Sequence, residues 1–318
     1  TMAKISTGII GLGNIGYKYD LGKKSILTHA KAIKSSKYFY IKTAVDKNKS
    51  VLKKFKKTFK CNTYSSINNA LKNDKPEFLI ISTGISSISK IFKNVISNKS
   101  IKIIMIEKPG ANNAKELLKM IQLAKKNKKY LFINYFRLFN PQLDLFKTKI
   151  RNSKNFRIVF FYCRGMYNNT SHLISLLLSI FKNPKNISVI KKNHDRKDIN
   201  PDFRIKFNKG DVTFLSSNVK NLSYLKLISI SDKEKIISNN SFNDFIFSKS
   251  QNDKFIKNHI TYSKNYKLLK IDYSKSQKIV YDNITKFKNK TKYNQQINIY
   301  LKTLKILDKI KKLNRIKK

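Results

Sequence analysis

Tryptophan is absent from this 318-residue sequence, and cysteine, proline and arginine are scarce. The two cysteines, Cys61 and Cys163, lie far apart and form no Cys-x-x-Cys pair. The histidines share no metal-ligand spacing with them; they are His29, His172, His194 and His259. These patterns argue against a disulfide framework and a zinc site, and they fit a reducing compartment.

Long apolar runs are also lacking. The longest one near a predicted helix, residues 173–181, is interrupted by serines and is too short to cross a bilayer. The first glycine cluster starts at Gly8, which leaves no room ahead of it for a signal or transit peptide. We therefore expect a cytoplasmic protein without a membrane anchor.

Acidic residues are few: 68 lysines and arginines face 18 aspartates and glutamates, and the net charge is +50 at pH 7. Such a charge is typical of nucleic-acid-binding proteins. Base readout and phosphate clamping favour arginine, however, and only seven basic residues are arginines: Arg137, Arg151, Arg157, Arg164, Arg196, Arg204 and Arg315. Lysine, asparagine, isoleucine, phenylalanine and tyrosine, whose codons are A/T-rich, are enriched together. We attribute the positive charge to a drift of the composition toward residues with A/T-rich codons, and we expect no nucleic-acid partner. The electrostatic field of this positive charge should still attract anionic ligands, and the attraction should weaken as salt is added.

The first part of the chain alternates short apolar runs with amphipathic segments. The predicted strands are 4–10, 39–45, 78–82, 101–106 and 131–135. The predicted helices are 29–35, 49–59, 67–72, 87–97 and 113–126. This alternation is typical of a Rossmann-type, doubly wound parallel sheet.

The pattern changes after residue 141. A strand is predicted at 155–163 and a helix at 171–181, with Ser171 as its N-cap. Two hairpins follow, about residues 208–211 and 231–234, and a last helix covers 293–313. Its basic end, 311–318, reads as a solvated helix terminus. We predict an α/β protein with a dinucleotide-binding domain at 1–136. The second domain, 137–318, is predicted to be α+β with a mainly antiparallel open sheet.

Ligands of open α/β sheets bind beyond the carboxyl ends of the strands. After the first strand comes "GLGNIG", with Gly11, Gly13, Asn14, Ile15 and Gly16. In a dinucleotide site the first glycine permits the tight turn, the second the approach of the pyrophosphate, and the third close helix–strand packing. The N-terminus of the following helix would then stabilise the phosphate charge. The alternative is a purely structural glycine turn.

Asp46 follows the second predicted strand, where a carboxylate can accept the ribose hydroxyls of NAD and repel the 2′-phosphate of NADP. It lies further beyond Gly16 than the roughly 20 residues that are usual. The irregular "YKYDLGKKSI", which delays the crossover helix, explains the extra length. Lys47 and Lys49 leave NADP open as a second cofactor.

The third and fourth strands also end in polar residues. Ser82, Thr83 and Gly84 suit close approach of a cofactor, although a plain turn explains them equally well. Glu107 and Lys108 form a charged pair at the end of "IKIIMI", where unpaired buried charge is costly. We place Lys108 where the nicotinamide ribose and the substrate meet.

The chain resembles the glucose-fructose oxidoreductase/inositol dehydrogenase (Gfo/Idh/MocA) family. Four stretches carry the resemblance: "GLGNIG", "IEKPGA", "NYFRLFNPQL" and "GMYNNTSHLISLLLSIF". They end near residue 181, and the remainder is similar only in its β-rich character and last helix. "LTHAKAI" and "NNTSHLI" look most like a short branch associated with surface-polysaccharide and nucleotide-sugar biosynthesis.

The resemblance implies roles for individual residues. Lys108 corresponds to the lysine that contacts the nicotinamide ribose and the substrate hydroxyl, and His172 to the proposed acid/base. The expected substrate contacts, between the two domains, are Arg137, Tyr162, Arg164, Asn168 and His172. Arg137 and Arg164 could equally pair with surface or backbone groups, and Tyr162 could be a core residue.

The sequence departs from the family pattern in its catalytic half. Asn168 and Ser175 stand where the family has aspartates around the histidine, and Thr170 replaces a glycine. Gly84 and Ile88 replace a proline and a histidine after the third strand. The resulting expectation is an NAD(P)-dependent oxidoreductase that transfers hydride at a hydroxyl or keto group of a sugar or nucleotide sugar. It would be a homo-oligomer formed through the second-domain sheet. The alternative is a module that binds nucleotide and has lost its chemistry.

Overall fold

A computed structural model describes residues 3–193, 198–217, 219, 222–285 and 290–315. His194, Arg196 and the end of the predicted basic terminus, 316–318, lie outside these residues. The chain divides into two compact units. The first contains Thr1–Phe139 and Ser274–Lys302, and the second contains Asn140–Tyr273 and Thr303–Lys318.

The first unit is built on a six-stranded parallel sheet. Its strands are β1 (Ile5–Ile10), β2 (Phe39–Val45), β3 (Asn62–Tyr64), β4 (Phe78–Ile81), β5 (Ile103–Ile106) and β6 (Tyr130–Ile133). Their order is β3-β2-β1-β4-β5-β6, with every neighbouring pair parallel. This is the strand order of a doubly wound dinucleotide-binding sheet, so the predicted architecture is confirmed. The predictions missed β3, which has only three residues and no apolar run.

The connecting helices are α1 (His29–Lys34), α2 (Lys49–Phe59), α3 (Ile67–Asp74), α4 (Ile85–Val95) and α5 (Ala114–Lys126). Four of them begin at a side chain that accepts a backbone N–H bond: Thr28, Asn48, Ser66 and Asn113. Such N-caps satisfy donors that have no partner within the helix. α4 begins and ends two residues before its predicted bounds, because Gly84 takes the N-cap position.

The second unit contains a nine-stranded sheet. Its strands are β7 (Phe156–Tyr162), β8 (Asn186–Lys191), β9 (Asp202–Phe207), β10 (Gly210–Ser216), β11 (Leu225–Ile230), β12 (Glu234–Ser238), β13 (Asp244–Asn252), β14 (Ile260–Tyr262) and β15 (Lys267–Lys270). The order is β14-β13-β12-β11-β7-β10-β9-β8, and β15 pairs with β13. Only β7 and β10 pair in parallel. The mainly antiparallel sheet and both predicted hairpins, β9–β10 and β11–β12, are thereby confirmed.

Among the described residues, two helices belong wholly to the second unit, α6 (Asp144–Asn152) and α7 (Ser171–Ile180). α7 is enclosed on nearly all sides, since only Ser179 among its residues is not buried. The prediction of Ser171 as N-cap is wrong. A one-turn π-helix, Met166–Thr170, runs directly into α7, and the Ser171 hydroxyl donates to the carbonyl oxygen of Tyr167 (2.7 Å).

The chain then contributes a second time to the first unit. α8 (Ser276–Ile284), which the sequence analysis missed, belongs there. The last helix, α9 (Lys290–Asn314), has its first half in the first unit and its second half in the second. Val280, Tyr281 and Ile284 of α8 lie in the same hydrophobic cluster as Ile9 and Phe39 of the sheet. None of the helices in the described parts of the chain combines the length and apolar character that a bilayer crossing requires.

Candidate functional site

Four strands of the first sheet end together. Ile10 of β1 lies opposite Val45 of β2 and Ile81 of β4, and Ile81 lies opposite Ile106 of β5. The residues that follow are therefore held at one edge of the sheet. These are the predicted polar and glycine positions, and their convergence follows from the parallel register.

The glycine turn after β1 is tightly packed at two of its positions. Gly11 has a φ of +93°, and a Cβ there would lie 2.9 Å from Cγ2 of Thr83. A Cβ at Gly16 would lie 2.2 Å from the carbonyl oxygen of Gly11, closer than any real contact. The Ser82 hydroxyl donates to that same oxygen (2.7 Å), which ties β4 to the turn. Only glycine suits these two positions.

Gly13 is different, since a Cβ there would meet nothing within 4 Å. Gly13 and Asn14 are exposed and Ile15 is half-buried. The open space over Gly13 fits a group that approaches the backbone closely, as the pyrophosphate of a dinucleotide does.

The expected helix after the glycine turn is not an α-helix. A one-turn π-helix, Asn14–Lys18, follows Gly13, and α1 starts only at His29. One turn has a smaller dipole than the full helix that we expected to face the phosphates.

The segment between this turn and α1 is the predicted irregular insertion. It is organised by Asp20, whose fully buried carboxylate accepts hydrogen bonds from Leu27 N (2.7 Å), Thr28 N (2.9 Å) and the Thr28 hydroxyl (2.9 Å). The Lys31 ammonium donates to the carbonyl oxygen of Asp20 (2.5 Å). Asp20 is thus a structural residue that shapes the insertion.

Asp46 lies directly against the glycine turn. One carboxylate oxygen accepts from Leu12 N (2.7 Å) and the other from Asn48 N (2.9 Å). Both bonds orient the carboxylate beside the turn, while each oxygen keeps a lone pair for a further donor. This arrangement has the chemistry that ribose hydroxyls require.

Thr83 follows β4 and lies beside Gly11. Its Oγ1 is buried and has no hydrogen-bond partner among the described residues. A buried hydroxyl without a partner is costly unless a ligand satisfies it. Thr83 therefore fits the predicted cofactor contact.

The Glu107 carboxylate accepts hydrogen bonds from two side chains. Its Oε1 accepts from His29 Nε2 (2.9 Å) and Asn134 Nδ2 (2.6 Å). Lys108 is half-buried, and the Lys108–Pro109 peptide bond is cis. His29 and Asn134 were not predicted as partners of Glu107, because no spacing rule connects positions so far apart in the chain.

Arg137 is the one predicted substrate contact that belongs to the first unit. It lies in a 3₁₀ turn, Phe136–Phe139, and is buried. Its guanidinium carbon lies 4.7 Å from the centroid of the Phe136 ring, a cation–π contact.

The other predicted substrate contacts belong to the second unit. His172 lies in the first turn of α7 and is 5% exposed. The Ser175 hydroxyl donates to the carbonyl oxygen of His172 (2.9 Å), so its hydrogen bond is made to the backbone of its own helix. Asn168 is half-buried, and Arg164, with a φ of +64°, is exposed.

Tyr162 lies in the core of the second sheet. It is fully buried, and its hydroxyl donates to the carbonyl oxygen of Pro201 (2.6 Å). Its ring packs edge-on against Phe203, with the centroids 6.3 Å apart. Burial raises the pKa of Tyr162 far above its usual range. The core alternative therefore explains Tyr162, and we leave it out of the substrate site.

Asp198 and Asn200 hold the turn that precedes α7, and sequence reasoning missed both. Asp198 accepts from Tyr167 N (3.0 Å) and Asn168 N (2.9 Å), and Asn200 Oδ1 accepts from Gly165 N (2.8 Å). A carboxylate from another segment is thus bonded to the backbone at Asn168, the residue that replaces the family aspartate.

Comparison with known families adds to this geometry. Residues 5–135 match the model of the Gfo/Idh/MocA family, described as an oxidoreductase family with an NAD-binding Rossmann fold. The match covers the first unit's sheet and leaves the rest of the chain unmatched. The NAD-binding Rossmann fold predicted from the strand ends is confirmed for these residues. A comparison with curated proteins finds no match.

Solved structures show the same fold over the whole chain. The WlbA dehydrogenase from Bordetella pertussis, in complex with NADH and UDP-GlcNAcA, is 15% identical, with a TM-score of 0.73 and coverage of 98% of this chain and 97% of its own. UDP-N-acetylglucosamine 3-dehydrogenase GnnA from Acidithiobacillus ferrooxidans is 12% identical, with a TM-score of 0.72 and coverage of 99% and 100%. The dehydrogenase MviM from Clostridium difficile is 16% identical, with a TM-score of 0.71 and coverage of 98% and 99%.

Proposed function

We propose that this oxidoreductase is an NAD(P)-dependent dehydrogenase or reductase that acts on a hydroxyl or keto group of a sugar or nucleotide sugar. The observation that carries the proposal is the strand-end cluster of the first unit. An open glycine, an oriented Asp46 carboxylate and the Glu107–Lys108 pair lie along one sheet edge.

The proposed cofactor site uses residues of the first unit. Gly11 and Gly16 keep the turn compact, and Gly13 leaves its outer face open for the pyrophosphate. Asp46 would accept the ribose hydroxyls and disfavour a 2′-phosphate. The buried Thr83 hydroxyl supplies a further polar contact.

The proposed chemistry is alcohol oxidation or its reversal. The bound nicotinamide would accept or supply the hydride. When hydride leaves carbon, a proton must leave the oxygen of the same group. His172 would take that proton, and the Lys108 ammonium would donate a hydrogen bond to the developing alkoxide.

The proposed substrate class is supported by the family resemblance and by proteins of similar fold whose names or ligands are nucleotide sugars. GnnA is a UDP-N-acetylglucosamine 3-dehydrogenase, and WlbA was crystallised with UDP-GlcNAcA. Arg137, Arg164 and Asn168 offer the donors that sugar hydroxyls and phosphates accept.

A second candidate function is nucleotide binding without turnover. Ser175 bonds to the backbone of its own helix, and it stands where the family has a carboxylate. A serine hydroxyl cannot raise the basicity of a histidine as a carboxylate at that position would. This observation favours a regulatory module of the same fold.

The two candidates are separated by a turnover assay with matched variants. Wild-type protein is incubated with NAD or NADP and a panel of sugars, UDP-sugars and GDP-sugars, while nicotinamide absorbance is followed. Lys108→Ala and His172→Ala should each lower kcat by roughly 10² or more. The exposed Lys102 and His259 give the controls Lys102→Ala and His259→Ala, which should keep wild-type rates.

Retained turnover in both Lys108→Ala and His172→Ala would show that the proposed site is wrong. NADH binding without turnover on any panel member would favour the second candidate.

A further inference from the structure

A chain of hydrogen bonds runs through the interior of the first unit and ends at Glu107. Tyr281 of α8 lies with its hydroxyl 2.8 Å from His29 Nδ1. The other ring nitrogen of His29, Nε2, lies 2.9 Å from Glu107 Oε1. Both His29 and Tyr281 are fully buried, and the Glu107 side chain is 13% exposed.

The direction of these bonds follows from the donors available. Burial raises the pKa of Tyr281 well above its usual range, so its phenol keeps its proton. Glu107 Oε1, which also accepts from Asn134, lies at Nε2, and the Tyr281 hydroxyl lies at Nδ1. Both bonds are satisfied when Nε2–H donates to Oε1 and the hydroxyl donates to Nδ1. A hydroxyl on α8 thereby fixes the tautomer that donates to Glu107.

A second branch meets the same oxygen. Asn134 follows β6, and its amide nitrogen donates to Glu107 Oε1 (2.6 Å) and to Gln277 Oε1 of α8 (3.2 Å). Asn134 and Gln277 are 2% and 3% exposed. Two residues of α8 are therefore connected to Glu107 by hydrogen bonds. Tyr281 is connected through His29, and Gln277 through Asn134.

Glu107 is joined to Lys108 by a peptide bond. The two bonds to Oε1 restrain the Glu107 side chain and, through it, the backbone that carries Lys108. The Lys108 ammonium must be placed accurately to reach a reacting oxygen. A small displacement of such a group lowers the reaction rate by a large factor.

We propose that His29 and Tyr281 are positioning residues that hold the Glu107–Lys108 turn in its reactive geometry. Helix α8, which comes from the far end of the chain, then helps to position the reactive turn of the cofactor-binding unit. This inference rests on the proposed role of Lys108.

The test uses four variants that remove or retain particular side-chain hydrogen bonds. Tyr281→Phe removes only the hydroxyl, and its ring still packs against Phe39, with centroids 5.7 Å apart. His29→Leu removes both bonds, whereas His29→Gln keeps one donor and one acceptor. Tyr293→Phe is the matched control: it deletes the hydroxyl of a half-buried tyrosine in the same unit, one bonded to Leu131 N (2.8 Å) and remote in sequence from the Glu107–Lys108 turn.

Each variant is measured for kcat, for NADH affinity and for hydrogen–deuterium exchange of the peptide that covers residues 104–110. Tyr281→Phe and His29→Leu should lower kcat by roughly ten- to a hundredfold while the Kd for NADH changes less than about twofold. Exchange at 104–110 should rise in both. His29→Gln should restore part of kcat, and Tyr293→Phe should match wild type in all three measurements.

Wild-type kcat and exchange in Tyr281→Phe and His29→Leu would overturn the inference. An equal fall in kcat for Tyr293→Phe, or a parallel loss of NADH affinity, would also overturn it, because either indicates a general structural effect. If the wild-type protein turns over no substrate, the proposed function fails instead. Exchange at 104–110 then decides the inference alone: a rise in Tyr281→Phe supports it, and no change overturns it.

Discussion

Gly13 and Gly16 stand in one motif but meet different surroundings. A Cβ at Gly16 would collide with the carbonyl oxygen of Gly11, whereas one at Gly13 would project into open space. Gly16→Ala should therefore lower the free energy of unfolding by about 1–3 kcal/mol, the usual cost of overpacking. Gly13→Ala, at a φ of −71°, should stay within about 0.5 kcal/mol of wild type but weaken NADH binding. Urea unfolding and a fluorescence titration measure both effects, and the same loss of stability in the two variants would contradict this account.

Asp46 carries the predicted preference for NAD. Its carboxylate is oriented by Leu12 N and Asn48 N, and its charge would repel a 2′-phosphate. Asp46→Asn should weaken NADH binding about tenfold, the loss of roughly one hydrogen bond to a charged group, and narrow the ratio of NADH to NADPH affinity. Titrations with both nucleotides measure this ratio, and Asp144→Asn, at an exposed carboxylate, is the control. An unchanged ratio would show that Asp46 does not select the cofactor.

The insertion between the glycine turn and α1 is an element whose order depends on one buried carboxylate. Asp20 accepts three hydrogen bonds from Leu27 and Thr28. In Asp20→Asn, the amide nitrogen would replace one acceptor with a donor and leave a buried N–H without a partner. We expect the free energy of unfolding to fall by about 1–3 kcal/mol. Denaturant melts test this, with Asp144→Asn expected within about 0.5 kcal/mol of wild type, and equal melts for both variants would contradict it.

Elements with a local signature were predictable. The apolar runs of β1, β2, β4, β5 and β6 and the capped helices between them can be recognised within a few residues of sequence. β3 has three residues and no apolar run, and α8 joins the first unit from the far end of the chain. Local periodicity predicts an element but does not show which distant element it packs against.

The same distinction applies to the site. The glycines, Asp46 and the Glu107–Lys108 pair follow strands and were found by position. The bonds of Glu107 to His29 and Asn134 connect distant parts of the chain, so no spacing could predict them. Tyr162 lies at the end of an apolar run, a position that suits a core residue and a ligand contact equally well. Sequence position therefore could not decide its role.

The net charge of +50 acts on the whole molecule. A positive field concentrates anionic nucleotides near the protein, and salt screens it over about 8–10 Å at physiological ionic strength. We expect the Kd for NADH to rise several-fold between low salt and roughly 0.5 M NaCl, where the screening length is a few Å. A neutral osmolyte at equal osmolality is the control and should leave the Kd unchanged. A Kd independent of salt would show that the charge does not contribute to nucleotide capture.

The central claim is that the strand-end cluster holds a nicotinamide dinucleotide with its reactive ring at Lys108. A crystal structure with NADH bound tests this most directly. We expect the diphosphate over Gly13, the adenosine ribose hydroxyls on Asp46 and the nicotinamide in contact with Lys108. A nicotinamide that lies away from Lys108, or a cofactor bound elsewhere than the glycine turn, would contradict the account.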